Sequence, residues 1–432
     1  MPSFKIKKLS AREILDSRAE PTLEVRLELT DGNVAKASVP SGASTGKFEA
    51  WELRDKDPRR YSGKGVLKAA GNVNTILART LRGKDVRDQL RIDEIMKKVD
   101  GTLNKRKLGA NAILGVSLAC ARTAAMSAKL PLYRYLRKCF AIKETKYILP
   151  IPMFNIFNGG KHADTNLDFQ EFMVIPEAEK QNTGKAKPST FKEKVRHGSE
   201  VFHALGKVLK ERGFDTDVGN EGGYAPDIFS SVQALEMILA AIIRAGLTPG
   251  VDMSLGIDVG SSILYNEDKK RYIFRLDQAA FSNITLVGLY YEWFRTYPII
   301  YLEDGLGQDD WEGWQELTEL LGEEMMVVGD DLFVTNTARL KKGIEKRVAN
   351  GIIIKPNQIG TLTETVACVN LAKKNNYQVI VSHRSGETTD DFIADLAVAC
   401  GADHIKAGAP SRGERVAKYN RLMEIEEELK LG

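Results

Sequence analysis

The stretch IIYLEDGLGQDDWEGWQELTELLGEEMMVVGDD (299–331) decides how this chain folds. An apolar run closes on an acidic pair, a glycine-bearing loop follows, then a helical pattern, then a second apolar run that again closes on acids. The unit recurs on both sides as SLGID (254–258), GIIIK (351–355), QVIVSH (378–383) and HIKAG (404–408). Continuous apolar runs alternating with helices predict a parallel sheet buried on both faces. The intervals between Glu303, Asp330, Lys355, His383 and Lys406 are 27, 25, 28 and 23 residues, each one strand-loop-helix unit. The 45 residues from Asp258 to Glu303 are too many for one unit and must hold an insertion. So many units, without a GxGxxG fingerprint, favour a closed TIM-like βα barrel over an open doubly wound sheet.

Upstream, the rhythm differs. TLEVRLELT (22–30) alternates, reaches Asp31-Gly32 and resumes over Val34 to Val39, which predicts a hairpin. Helical patterns follow over Asn72 to Leu81, Gln89 to Val99 and Ala110 to Ser127. At 432 residues the chain exceeds one core, so two domains are expected. The reading is an α/β protein: a small α+β domain over 1–140, then a barrel domain over 141–432. Glu177 to Pro188 reads as an exposed polar loop.

The bulk properties exclude several roles. With 62 basic against 58 acidic residues, net +4, there is no global pull toward nucleic acid or an anionic membrane. Cys120, Cys139, Cys368 and Cys400 lack metal or redox spacing and read as reduced thiols. No apolar run precedes the first lysines, and the longest apolar stretch, Ala110 to Ala125, is broken by Arg122 and too short to span a bilayer. The expected location is the cytoplasm.

Strand ends are where a βα barrel carries its chemistry. A lone terminal Asp is usually a cap or turn former, but here Asp258, Glu303, Asp330, Lys355, His383 and Lys406 follow in succession. Three converging carboxylates repel one another unless a hard cation sits between them, and oxygen-only ligation favours Mg²⁺, with Mn²⁺ as a substitute. Lys355 comes one strand later. Burial and a nearby cation would disfavour its ammonium form, the condition for a general base. Abstracting a proton beside a carboxylate puts a second negative charge there, which a bound cation offsets. Glu171 (DFQEFM) and Glu221 (VGNEGGYAP) are read as loop acids, and Glu221, among glycines, suits a general acid on the opposite face. Arg384 and Ser385, with His383 before them, match phosphate oxygens. Ser41 to Gly46 (SGASTG) has the composition of a lid.

Together these motifs resemble the enolase family, the phosphopyruvate hydratases of glycolysis, and its bacterial members most closely. The resemblance runs along essentially the whole chain. It is carried by SGASTG (41–46), KLGANAILGVSLA (107–119), GDDLFVTN (329–336), NQIGT (357–361) and SHRSGET (382–388). A Lys base working beside one or two Mg²⁺ is the known pattern of that superfamily. The resemblance implies Asp258, Glu303 and Asp330 as ligands of one magnesium and Ser41 as a ligand of a second. It implies Lys355 as base on C2 of 2-phospho-D-glycerate, Glu221 supported by Glu171 as acid on the C3 hydroxyl, and phosphoenolpyruvate as product. Lys406 would face the substrate carboxylate, His383, Arg384 and Ser385 the phosphate, and His162 would close over the substrate. It further implies a homodimer or octamer, with Arg12 and Glu414 at the dimer interface. Surface or RNA-processing partners and non-classical export belong to the same family background. Asn220 stands where the family usually has Asp, which should make Glu221 easier to ionise and alter the limb of the pH–rate profile set by the acid. Pro356 follows the base, SRAEP replaces SRGNP, and an insertion is expected over 177–188. Rival readings are an acid-sugar dehydratase or racemase, which would not need Arg384-Ser385 or the lid, and a purely binding protein.

Overall fold

The computed structural model describes residues 4–43, 46–143, 146–177 and 190–431. The first 143 residues open with an antiparallel sheet of β1 (Ile6–Leu15), β2 (Pro21–Leu29) and β3 (Val34–Ser38). The hairpin is where the alternation placed it. β1 was not anticipated: IKKLSAREIL shows little alternation, and the strand is set by its long register against β2. The Ala110–Ser127 helix packs across β2 and β3 and is buried almost all round. The helix expected from Asn72 starts earlier, at Leu67, and passes through a π-helical turn over Val73–Leu77 before ending at Leu81.

The barrel is closed. Its strands are β4 (Ile151–Asn158), β5 (Glu171–Pro176) and β6 (Met253–Asp258). After β7 (Tyr265–Asn266), β8 (Arg271–Phe274) and β9 (Ala279–Phe281) come β10 (Ile299–Glu303), β11 (Met326–Gly329), β12 (Gly351–Ile354), β13 (Gln378–Ser382) and β14 (His404–Lys406). The last of these pairs in parallel with β4 and closes the ring. Strands β7 to β9 form a separate antiparallel sheet, the insertion required between Asp258 and Glu303. The barrel interior is packed by Met153, Met173, Ile175, Tyr301, Val328, Ile353 and Ile380, each at most 1% exposed. Burial of side chains of this size contributes roughly 1.5–3 kcal/mol apiece. Among the described residues no single helix is long and apolar enough to cross a membrane.

One strand departs from the all-parallel pattern. β5 runs antiparallel to both β4 and β6. Its first residue therefore lies at the rim where the other strands end, and register pairs Glu171 with Asp258 and Asp258 with Glu303. Glu171 is thus a strand-start residue rather than the loop residue expected from sequence. Reversal of one strand brings an extra carboxylate into the same row.

Candidate active site

A small cavity at this rim is lined by Ala43, His162, Gln170, Glu171, Glu221, Asp258, Asp330, Lys355, Ser382, His383, Arg384, Ser385 and Lys406. All the predicted site residues except Glu303 and Ser41 line it. Glu303 stands just behind, wholly buried.

Lys406 is the hub of the acidic side. Its Nζ lies 2.8 Å from Glu303 Oε2 and 3.1 Å from both Asp258 Oδ2 and Glu171 Oε1. Burial alone would push the ammonium down, but the three carboxylates outweigh it and hold the group well above its ordinary value. The acids remain crowded. Burial, then Glu303, pushes Asp258 up, and burial, then Glu221, does the same to Glu171. Glu303 Oε2 accepts from Tyr301 Oη at 2.5 Å, while its other oxygen is buried without a hydrogen-bond partner. Hard oxygen donors, mutual repulsion and an orphaned carboxylate oxygen fit a divalent cation at the ends of β6 and β10.

Asp330, the third predicted ligand, is occupied differently. Lys355 Nζ donates to its Oδ2 at 2.5 Å and Gln358 Nε2 to its Oδ1 at 2.8 Å. Burial pushes Lys355 down as the sequence suggested, but Asp330 outweighs it and the group lies above its ordinary value. The ammonium is the resting form, and its counter-charge is Asp330. Pro356 does not strain this arrangement. It opens a short helix, Pro356–Ile359, at the position where a missing N–H costs nothing, and Lys355 is the extended residue before it.

Glu221 lines the same cavity from a loop held by Gly222 at φ +89°, where a Cβ would lie 3.1 Å from Ser411 O. Ser385 Oγ donates to Glu221 Oε1 at 2.7 Å and Asn155 Nδ2 to Oε2 at 3.0 Å. His162 Nδ1 is 3.4 Å from Oε1 and 3.3 Å from Glu171 Oε1. Burial pushes Glu221 up, but the rings of His162 and His383 and the Arg415 guanidinium carry it well below the carboxylate range. Arg415 Nη1 meets His383 Nδ1 at 2.7 Å. A guanidinium only donates, so that nitrogen accepts and the ring proton sits on Nε2, 3.4 Å from Glu221 Oε2. Burial lowers His383 to about 3, so the ring is neutral.

Ser41 is the predicted residue set furthest apart. Its backbone pairs with Gly386 (2.8 and 2.9 Å), and its hydroxyl donates to Asp16 and accepts from Arg18. A Cβ on Gly386 would fall 2.8 Å from Ser41 O, so only glycine permits the approach. Within the lid motif, Ser44 and Thr45 lie outside the described residues, as does most of the 177–188 segment. Arg12 pairs with Glu24 and Glu414 with Arg412 within the chain, each at 2.8 Å.

Sequence reasoning missed four contributors. Arg415, wholly buried, also donates to the carbonyls of Arg384, Ser385 and Asn220 and so braces both catalytic loops from the last helix. Asn155 is a neutral amide inside the apolar strand β4, and Gln358 lies in the short helix after Lys355. Glu49 grips Arg384 from the first domain. Gln358 sits within NQIGT, and no motif marks the other three.

A barrel rim that gathers a carboxylate row, an Arg-Ser pair, a Lys and a Glu into one cavity fits a carbon–oxygen lyase acting beside a carboxylate. Comparison with known proteins makes this specific. The family model for the enolase C-terminal TIM barrel domain matches residues 146–431, and that for the enolase N-terminal domain matches 6–136. Enolase 1 of Chlorobaculum tepidum is 51% identical over 426 residues, covering 99% of this chain and 96% of that protein. The chain belongs to the enolase family: it is a lyase of the phosphopyruvate hydratase type, acts in glycolysis, and requires a divalent metal.

Proposed function

We propose that this site interconverts 2-phospho-D-glycerate with phosphoenolpyruvate and water, with Lys355 as base and Glu221 as acid. The carrying observation is the single cavity that Lys355, Glu221, Arg384, Ser385 and Lys406 line together. Arg384 and Ser385 hold the phosphate, assisted by His383, and Lys406 faces the substrate carboxylate. Mg²⁺ would be held by Asp258, Glu303 and Asp330, and when bound it supplies counter-charge to the substrate carboxylate as its second negative charge develops. Ser41, beside Gly386, is the candidate ligand for a second Mg²⁺. Lys355, once released from Asp330, gives its ammonium proton to solvent and as the neutral amine takes the C2 proton. Glu221 enters ionised and takes a proton from solvent as the anionic substrate arrives. Ser385 connects the two events, because the hydroxyl that turns toward phosphate is the one that now donates to Glu221. Glu171 and His162, within hydrogen-bonding reach of Glu221, orient it and close the cavity. The departing hydroxyl leaves as water on the Glu221 side.

We assign residues 1–140 and 141–432 to the two domains, supported by family-model matches that end at 136 and resume at 146. A cytoplasmic homodimer, with an octamer as the larger assembly, is the expected form on family grounds. The test adds 2-phosphoglycerate and Mg²⁺ and follows the ultraviolet absorbance of enolpyruvate. A rise is expected from the wild type and none from Lys355→Ala. A silent wild type, or an active Lys355→Ala, overturns the assignment.

A further inference from the structure

The guanidinium assigned above to phosphate already holds a carboxylate from the other end of the chain. Glu49 Oε2 lies 3.0 Å from Arg384 Nη1 and Oε1 lies 3.1 Å from Nη2, a two-pronged grip. Both side chains are nearly buried, at 9% and 4% exposed. Asn357 Oδ1 accepts from the same Nη1 at 3.1 Å. The grip is tied to the rest of the site. Gly46 N, at the edge of the lid motif, donates to Glu49 Oε1 at 3.1 Å. Gln358, which donates to Asp330 Oδ1, reaches the same Glu49 oxygen at 3.4 Å. The backbone around Glu49 is fixed as well, with Ala50 N donating to Gln358 O at 2.7 Å and Trp51 N to Asn104 O at 2.7 Å.

We propose that Glu49 is an internal competitor for the phosphate site, a positioning residue that occupies Arg384 until phosphate replaces it. A carboxylate and a phosphate present the same paired oxygens to a guanidinium. Two anions cannot share that edge closely in a buried site without repulsion, so substrate phosphate must displace Glu49 or bind against its charge. Displacement frees Glu49 from the lid-edge amide of Gly46 and from Gln358, so phosphate arrival reaches both the lid and Asp330. On departure Glu49 returns, which speeds release of the product. Phosphate affinity is therefore weaker than Arg384 alone would give, and turnover is faster.

This inference rests on Arg384 being the phosphate ligand, and the experiment separates the two claims. The inhibition constant of inorganic phosphate, together with KM and kcat for 2-phosphoglycerate, is measured for the wild type, Glu49→Gln, Arg384→Ala and the double variant. Gln keeps the shape and the acceptor for Gly46 N while removing the charge. Glu49→Gln should bind phosphate about tenfold more tightly and lower KM, with kcat reduced by slower release. Should Glu49→Gln fail to fold, Glu49→Asp, whose carboxylate is drawn back by one methylene, should still tighten phosphate by roughly threefold. In the Arg384→Ala background, Glu49→Gln should have no effect. Unchanged or weaker phosphate inhibition in Glu49→Gln, or in Glu49→Asp where that variant is the one measured, overturns the inference; so does an effect that survives loss of Arg384. Arg384→Ala with phosphate inhibition intact would instead overturn the assignment of Arg384 itself.

Discussion

Replacing Lys406 with Met keeps the length of the side chain and removes the ammonium that bridges Glu171, Asp258 and Glu303. The ammonium sits 2.8–3.1 Å from an oxygen of each, and all four side chains are at most 6% exposed. Removing one partner of a buried ion pair costs roughly 3–5 kcal/mol, because the remaining charge is left uncompensated. Here three acids lose their shared partner, so the loss should reach at least the lower end of that range. A divalent cation offers the same carboxylates a replacement. Lys⁺ and the cation repel each other, so removing Lys406 should also tighten metal binding, and each tenfold gain in affinity adds about 1.4 kcal/mol of stabilisation at saturation. Urea unfolding of wild type and Lys406→Met, with chelator and with saturating Mg²⁺, reads both effects. The variant should be destabilised by about 3 kcal/mol or more in chelator and by distinctly less in Mg²⁺. Equal losses in the two conditions would refute the idea that these carboxylates share a cation.

Other expectations follow from single contacts. Asp93 is wholly buried, accepts from Gln89 and from Thr363 N and Oγ, and burial raises it to about 6. The folded state then holds a proton that the unfolded state releases above its ordinary value of 3.8, so this group's contribution to stability falls as pH rises between the two values, by roughly 3 kcal/mol in all. Asp93→Asn should flatten that part of the stability–pH curve, and an unaltered curve would count against it. Asn220→Asp places a carboxylate beside Glu221 and should raise the acid's apparent pKa, moving the alkaline fall of kcat/KM upward; superimposable profiles would remove the idea. Gly386→Ala drives a Cβ to 2.8 Å from Ser41 O and should cost roughly 1–3 kcal/mol. Its KM should rise as the first-domain loop detaches, and wild-type stability and KM would show that the approach is not needed.

The candidate site residues were legible because a parallel barrel puts strand ends on one rim, and an apolar run closed by a charge marks each end. Asp258, Glu303, Asp330, Lys355, His383 and Lys406 could be read that way. Glu171 could not, since nothing in DFQEFM says that β5 runs backwards; direction is decided by pairing with β4 and β6. β1 escaped notice for a related reason. Its solvent-facing and core-facing residues are not cleanly alternated, and its partner fixes it. The pairing of Lys355 with Asp330 was also invisible, and it reverses the expected direction of the lysine's shift. Sequence could place both residues at the rim but not which counter-charge each meets. Arg415 and Glu49 lie far along the chain from the loops they grip, in segments whose local pattern is ordinary helix and ordinary loop.

The division of labour between Lys355 and Glu221 is tested most directly by following the C2 hydrogen of 2-phosphoglycerate in deuterated buffer by NMR, with Mg²⁺ present. Proton removal by Lys355 does not require Glu221 to act, so Glu221→Gln should exchange deuterium into C2 while forming little phosphoenolpyruvate. Lys355→Ala should do neither. Exchange at C2 that persists in Lys355→Ala, or that disappears in Glu221→Gln while Lys355 is intact, would contradict the account.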